Sequence, residues 1–175
     1  MKKALVLLSG GLDSITCLAL AKKEGFEVYA LTFKYGQKHN IETIKAISIA
    51  EKYNVAKHLF AEFDLSVIGG SALTADIAVP KNNLNQHSIP VTYVPARNTI
   101  FLSFALAWCE VLDCSEIFIG VNAVDFSGYP DCRPDYIKAY ENMANLATRL
   151  STEKGEKIKI NTPLIYYSKK EIILF

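Results

Sequence analysis

Short, nearly unbroken apolar runs, separated by stretches with helical spacing, constrain this chain more than any other feature. "ALVLL" (Ala4–Leu8), "VYALTF" (Val28–Phe33), "HLFAEF" (His58–Phe63) and "EIFIGV" (Glu116–Val121) have the length and β-branched or aromatic content of strands. A sheet with one wet face would alternate apolar and polar residues. These runs do not, so they predict parallel strands covered on both faces. Between them, Leu12, Ile15, Leu18 and Ala19 predict one apolar helical face, and Ile41, Ile44 and Ile47 predict another. Gly25 is placed to stop the first helix and Asn40 to cap the second. From about Thr99 to Leu112 the pattern is apolar nearly all round, which predicts the most buried helix. The alternation implies an α/β fold: an open, doubly wound, mostly parallel sheet with helices on both faces, as one domain over residues 1–175. Ligands on such sheets sit beyond the carboxyl ends of the strands. The pattern-poor segment from Ser66 to Pro95 reads as a functional lid or a partly disordered excursion.

Composition removes several function classes. A formal net charge of +1 gives no electrostatic case for nucleic-acid or membrane-surface binding. The greasiest segment, "TIFLSFALAWC" (Thr99–Cys109), is too short for a bilayer, which needs about 20 residues. "MKK" is followed by only a brief apolar run, unlike a secretory leader, so a reducing cytoplasm is the expected setting. Cys17, Cys109, Cys114 and Cys132 show no paired metal-binding spacing, and Cys17 and Cys109 fall in apolar helical patterns as buried thiols.

The chemistry starts at "SGGLDS" (Ser9–Ser14), where a glycine turn follows a strand and opens a helix. Backbone N–H groups in such a turn converge on an anion and the helix dipole favours it. There is no GK[ST] of a P-loop and no GxGxxG of a dinucleotide fold. A plain strand-to-helix turn would not call for both glycines together with Asp13 and Ser14. Asp13 would repel a phosphate unless its carboxylate holds a bridging Mg²⁺, for which one carboxylate with phosphate oxygens suffices. Ser14 would donate its hydroxyl to the same anion.

"SGGLDS" resembles the pyrophosphate loop of the ATP pyrophosphatases, whose fold is Rossmann-like and termed adenine nucleotide alpha-hydrolase-like. That resemblance implies a loop gripping the β,γ end of ATP, leaving the α-phosphorus open to attack, with AMP and pyrophosphate as products. Three further segments, "KYGQKH" (Lys34–His39), "YVPARN" (Tyr93–Asn98) and "GVNAVDFSGYPDCRPDY" (Gly120–Tyr136), narrow it. Together they resemble the 7-cyano-7-deazaguanine synthase family over the whole chain. The resemblance implies conversion of 7-carboxy-7-deazaguanine, ammonia and ATP to the amide and then the nitrile, in queuosine and archaeosine precursor synthesis. It implies small-molecule substrates, no direct nucleic acid and no membrane, and leaves a homodimer open.

On this reading Leu8, Ser9, Gly10, Gly11, Leu12, Asp13, Ser14, Ile15, Thr16, Cys17 and Leu18 form the ATP segment, with Tyr35, Gln37 and His39 toward the adenine. His39 equally serves the helix start beside Asn40. Arg97 and Asn98 face the substrate carboxylate or the α-phosphate, and Asp125, Tyr129, Asp131 and Arg133 face the deazaguanine. The alternative for that loop is a set of internal hydrogen bonds ahead of a helix starting near Pro134. Lys169 matches the superfamily's recurring lysine, so Asp13, Ser14, Arg97 and Lys169 form the expected catalytic set. Adenylation needs no thiol nucleophile, which leaves Cys132 as packing or pocket lining. His58 and His87 read as structural or exposed, and Glu153–Lys159 as a solvated turn.

Two rivals share parts of this pattern. Another ATP pyrophosphatase, of tRNA-modifying or amidotransferase type, should bring a cysteine pair, a tRNA-binding extension or a glutaminase. A non-catalytic nucleotide-binding domain would not need Asp13, Ser14 and "YPDCRP" together. At the other end, "SKKE" (Ser168–Glu171) is a capping box that predicts a helix from about Lys169. The sequence stops within two turns, so it reads as cut inside an element, with lower stability or activity than a longer parent. The family resemblance implies a four-cysteine zinc site beyond this point. With none of its own cysteines at that spacing, this chain is expected to bind no structural Zn²⁺.

Overall fold

The computed structural model of the protein describes residues 1–36, 41–73, 89–124 and 128–174. Five strands, β1 (Lys3–Leu7), β2 (Glu27–Lys34), β3 (Lys57–Glu62), β4 (Glu116–Phe118) and β5 (Lys159–Asn161), form one sheet in the order β3-β2-β1-β4-β5. Every neighbouring pair is parallel. The helices are α1 (Leu12–Lys23), α2 (Ile41–Lys52), α3 (Arg97–Leu112), α4 (Pro134–Ala147), α5 (Arg149–Thr152) and α6 (Lys169–Ile173), with a 3-10 turn at Pro130–Cys132. Strand order reverses between β1 and β4, and that reversal opens a crevice at the carboxyl edge.

Side-chain alternation along β1 divides the core into two layers. Ala4, Val6 and Leu8 pack against Cys17, Leu18 and Ala21 of α1 and Ala46 and Ala50 of α2. Leu5 and Leu7 face the other way, onto Leu102, Ala105 and Cys109 of α3 and Ile137, Tyr140 and Ala144 of α4. Burying each leucine contributes about 1.5–3 kcal/mol, so the near-continuous apolar run is what holds helices to both faces. The doubly wound parallel sheet expected from the runs is the observed fold.

Several local expectations are corrected. Ile41, Ile44 and Ile47 are 62, 67 and 41% exposed, while Thr43, Ala46 and Ala50 are the buried residues of α2. The cause is close approach: a Cβ on Gly10 would lie 2.3 Å from the Glu42 carbonyl oxygen and 3.0 Å from the Ala46 nitrogen. Small residues admit such proximity and isoleucines do not. In α1 the buried residues are Ser14, Cys17, Leu18 and Ala21; Ile15 packs partly buried against the same core, while Leu12 is exposed and lies off it. α3 is less buried than its composition suggests, with Phe104 and Val111 on the surface. β4 ends at Phe118 rather than Val121, and β5 was not anticipated. Gly25 does stop α1: its φ is +84° and its N–H donates to the Lys22 carbonyl at 3.0 Å. Pro134 occupies the first turn of α4. Asn40, and residues 74–88 of the Ser66–Pro95 segment with His87 among them, lie outside the described residues.

Candidate active site

The crevice at the strand-order reversal is a cavity of about 350 Å³. The wall formed by Ser9–Ser14 is largely backbone. Gly11 caps α1 without a side-chain hydrogen bond, and its carbonyl accepts from the Ile15 N–H at 3.1 Å. The remaining first-turn amides of α1 have no intrahelical acceptor, as at any helix start, and are available to an anion. Ser14 closes the loop from inside. Its hydroxyl donates to the Gly11 carbonyl at 2.9 Å, accepts from the Ser9 N–H at 3.2 Å, and lies 3.1 Å from the Ser9 hydroxyl. In this arrangement Ser14 shapes the loop rather than pointing outward.

Two glycines fix where that loop sits. Gly10 has φ +85° and no room for a Cβ beneath α2. Gly120, just past β4, is equally restricted: a Cβ there would lie 2.9 Å from the Asp13 carbonyl carbon and 3.0 Å from the Ser14 nitrogen. The loop is thus pressed between α2 and the end of β4.

The opposite wall is built from side chains. Ala96, with φ +53°, launches α3 and places Arg97 and Asn98 at its start. The first turn of α3 is capped from a distance: the Asp131 carboxylate accepts from the Asn98 N–H at 3.0 Å. The Asn98 amide nitrogen in turn donates to the Asp131 carbonyl at 3.0 Å and to Cys132 Sγ at 3.4 Å. The Tyr93 hydroxyl accepts from the Ala96 N–H at 3.0 Å. Tyr129 lies 2.7 Å from the Thr92 hydroxyl through its own. An aromatic floor joins the walls, with Phe33 stacked on Phe101 at 4.0 Å and Tyr35 edge-on to Phe101.

Leu8, Ser9, Gly11, Leu12, Asp13, Ser14, Tyr35, Arg97, Asn98, Tyr129 and Lys169 all line this one cavity. Others expected at the site do not. Gly10 is buried under α2, and Ile15, Thr16, Cys17 and Leu18 rotate away as α1 advances 100° per residue. Cys17 and Leu18 belong to the core, where burial pushes the Cys17 thiol up to about 12. Asp131 is turned onto α3, and Arg133 is exposed outside the lining. Gln37, His39 and Asp125 lie outside the described residues.

The structure also brings in residues that pattern reading passed over: Glu42, Thr43, Phe33, Phe101, Gly120 and Asn122. Asn122 is fully buried and its amide donates to the carbonyls of Leu164 and Tyr167, which ties the Lys169 segment to the end of β4. Ser168 and Glu171 form both halves of the expected capping box at α6. Cys132 lines the cavity, and burial, with Asp131 adding to it, raises its thiol to about 11. It stays protonated near neutrality, as suits lining rather than attack.

A family model described as "Queuosine biosynthesis protein QueC" matches residues 3–175. The chain belongs to that family. As a QueC family member it is 62% identical over 172 residues to the 7-cyano-7-deazaguanine synthase of Citrifermentans bemidjiense, an alignment covering 98% of this chain and 76% of the relative. It is 61% identical to the synthase of that name from Syntrophus aciditrophicus, with the same coverage. Among solved structures, a predicted subunit of tRNA methyltransferase from Methanocaldococcus jannaschii superposes with a TM-score of 0.61 at 18% identity, covering 99% of this chain and 73% of that one. That likeness extends to the fold alone. QueC membership, with relatives named as synthases, makes this chain an ATP-dependent ligase-type enzyme of queuosine precursor synthesis.

Proposed function

We propose that the cavity holds ATP with its β,γ-phosphates on the Ser9–Ser14 loop and its α-phosphorus turned toward a 7-carboxy-7-deazaguanine held from the Arg97 side. The observation that supports this reading is the convergence of a backbone anion loop and the Arg97–Asn98 helix start on one cavity. A carboxylate is a poor acyl donor because oxide or hydroxide must leave. Attack of its oxygen on the α-phosphorus expels pyrophosphate and gives an acyl adenylate. Ammonia then forms the C–N bond, AMP departs, and the ammonium proton passes to solvent. The amide oxygen attacks a second α-phosphorus in the same way, and loss of AMP and the amide protons leaves the nitrile.

Each wall has a task in that sequence. The loop binds the departing pyrophosphate through N–H groups that need no rearrangement as charge develops. Arg97 would make a bidentate contact with the carboxylate or the α-phosphate, Tyr129 would stack on the deazapurine, and Lys169 would reach the phosphates. Asp131 contributes by holding the start of α3, so it positions Arg97 and Asn98. A magnesium ion fits here, since Asp13 and Glu42 both line the cavity and Mg²⁺ uses one or two carboxylates with phosphate oxygens. When bound, it neutralises charge on the leaving pyrophosphate.

The test is incubation of the protein with ATP, Mg²⁺, ammonia and 7-carboxy-7-deazaguanine. The expected products are the nitrile by mass, AMP and pyrophosphate. ADP and orthophosphate would overturn the assignment of the loop.

A further inference from the structure

Thr43 lies in the first turn of α2, whose twelve residues begin at Ile41. It is only 7% exposed and lines the same cavity as Ser9, Gly11 and Asp13. Its hydroxyl oxygen is buried and has no hydrogen-bond partner among the described residues. A buried hydroxyl without a partner keeps its full desolvation penalty, which a fold avoids unless something else satisfies the group. A threonine in a helix commonly relieves that cost on a carbonyl one turn back, as Thr16 does on Leu12 at 3.0 Å. Thr43 does not.

The placement of α2 says what would satisfy it. The helix is pressed onto Gly10, so its amino end and that of α1 open on the same crevice from neighbouring strands. Both amino ends carry partial positive charge that favours an anion in that crevice, and the Thr43 side chain lines it. We propose that Thr43 is a further pyrophosphate-binding residue, donating its hydroxyl to the terminal phosphate end of ATP and holding it as it leaves as pyrophosphate. This rests on the reading of the loop given above. Thr43 also borders a second hollow, lined by Ile44, Ile47 and Phe60, and an occupant there would draw the hydroxyl away from the phosphates.

Thr43→Val keeps the shape and removes the donor, whereas Thr43→Ser keeps the donor. Calorimetric titration with magnesium pyrophosphate, and separately with AMP, reads the difference. Thr43→Val should weaken pyrophosphate binding about tenfold or more, the loss of one hydrogen bond to a charged group, with AMP binding unchanged. Thr43→Ser should return to within about twofold of the native protein. Thr43→Val should melt no lower than the native protein, because it deletes an unsatisfied polar atom. Equal pyrophosphate affinity in the native protein and Thr43→Val would overturn the role of Thr43 while leaving the loop assignment standing. So would Thr43→Ser binding as weakly as Thr43→Val. Failure of the native protein itself to bind pyrophosphate would overturn the loop assignment and Thr43 with it.

Discussion

The two walls of the cavity are made differently. The wall proposed for the phosphates is contiguous backbone, Ser9 to Ser14, clamped where Gly10 meets α2 and Gly120 meets the Asp13–Ser14 peptide. The wall proposed for the substrate is assembled from side chains on separate segments: Arg97 and Asn98 open α3, while Tyr129 and Asp131 come from the approach to α4. Backbone recognition tolerates almost no change in the residues that shape it, yet it names no substrate. Side-chain recognition can be altered one group at a time. Substitutions in the first wall should therefore register mainly as lost folding and ATP binding, and those in the second as lost substrate use.

The largest expected effect is at Gly10. Gly10→Ala sets a Cβ against the Glu42 carbonyl and forces a non-glycine residue to positive φ. Strain and overpacking together should cost about 2–5 kcal/mol. The denaturation midpoint should fall steeply and ATP binding with it. A normal midpoint with normal ATP affinity would mean the loop is not clamped by α2.

Asp131 separates capping from ligand contact. Asp131→Ala should destabilise by about 1–2 kcal/mol, the range for losing a helix N-cap, because the Asn98 N–H is left buried. Asp131→Asn retains an acceptor and should recover most of that stability. Should stability be unmoved in Asp131→Ala while substrate affinity collapses, Asp131 is a ligand after all.

Arg97 is half-buried at the cavity rim, so Arg97→Ala should change stability little. It should raise the KM for the carboxylated substrate by about tenfold or more, as expected for losing a charge-assisted pair, and the KM for ATP by much less. Equal losses in both would move Arg97 onto the phosphates.

The phosphate wall was legible because its chemistry is local. Six consecutive residues between a strand and a helix carry both the conformation and the proposed anion site, and near-continuous apolar runs announce the sheet that presents them. The substrate wall was legible only as segments. "YPDCRPDY" marked a candidate loop, but sequence could not show that Asp131 turns onto α3 while Arg133 faces solvent. That depends on contact across 33 residues of sequence. The apolar stripe of α2 misled for a related reason. Ile41, Ile44 and Ile47 have helical spacing, yet the helix turns its small residues inward because Gly10 admits nothing larger. β5 escaped notice because Ile158 and Ile160 alternate with lysines over a run of only three paired residues.

The smallest effect lies away from both walls. Thr32 donates its hydroxyl to the Leu8 carbonyl, at the base of the loop, so His58 Nε2, 2.7 Å away, must donate to Thr32. Burial lowers the His58 pKa, which favours the neutral ring in the fold. A base with a depressed folded pKa contributes stability above its unfolded pKa, near 6.5, and loses it as pH falls toward the folded value. Native protein should lose slightly more stability than His58→Gln between pH 7 and pH 5, the interval in which a histidine titrates. Parallel stability curves for the two proteins would remove His58 from the acid response.

The central claim is that the loop leaves the α-phosphorus of ATP open to the substrate carboxylate. Substrate carrying ¹⁸O in both carboxylate oxygens tests this without any variant. Single turnover with ATP, Mg²⁺ and ammonia, followed by mass spectrometry of the nucleotide and phosphate products, should find one ¹⁸O in AMP and none in pyrophosphate. Label appearing in orthophosphate, alongside ADP, would place the attack on the γ-phosphorus and contradict the account.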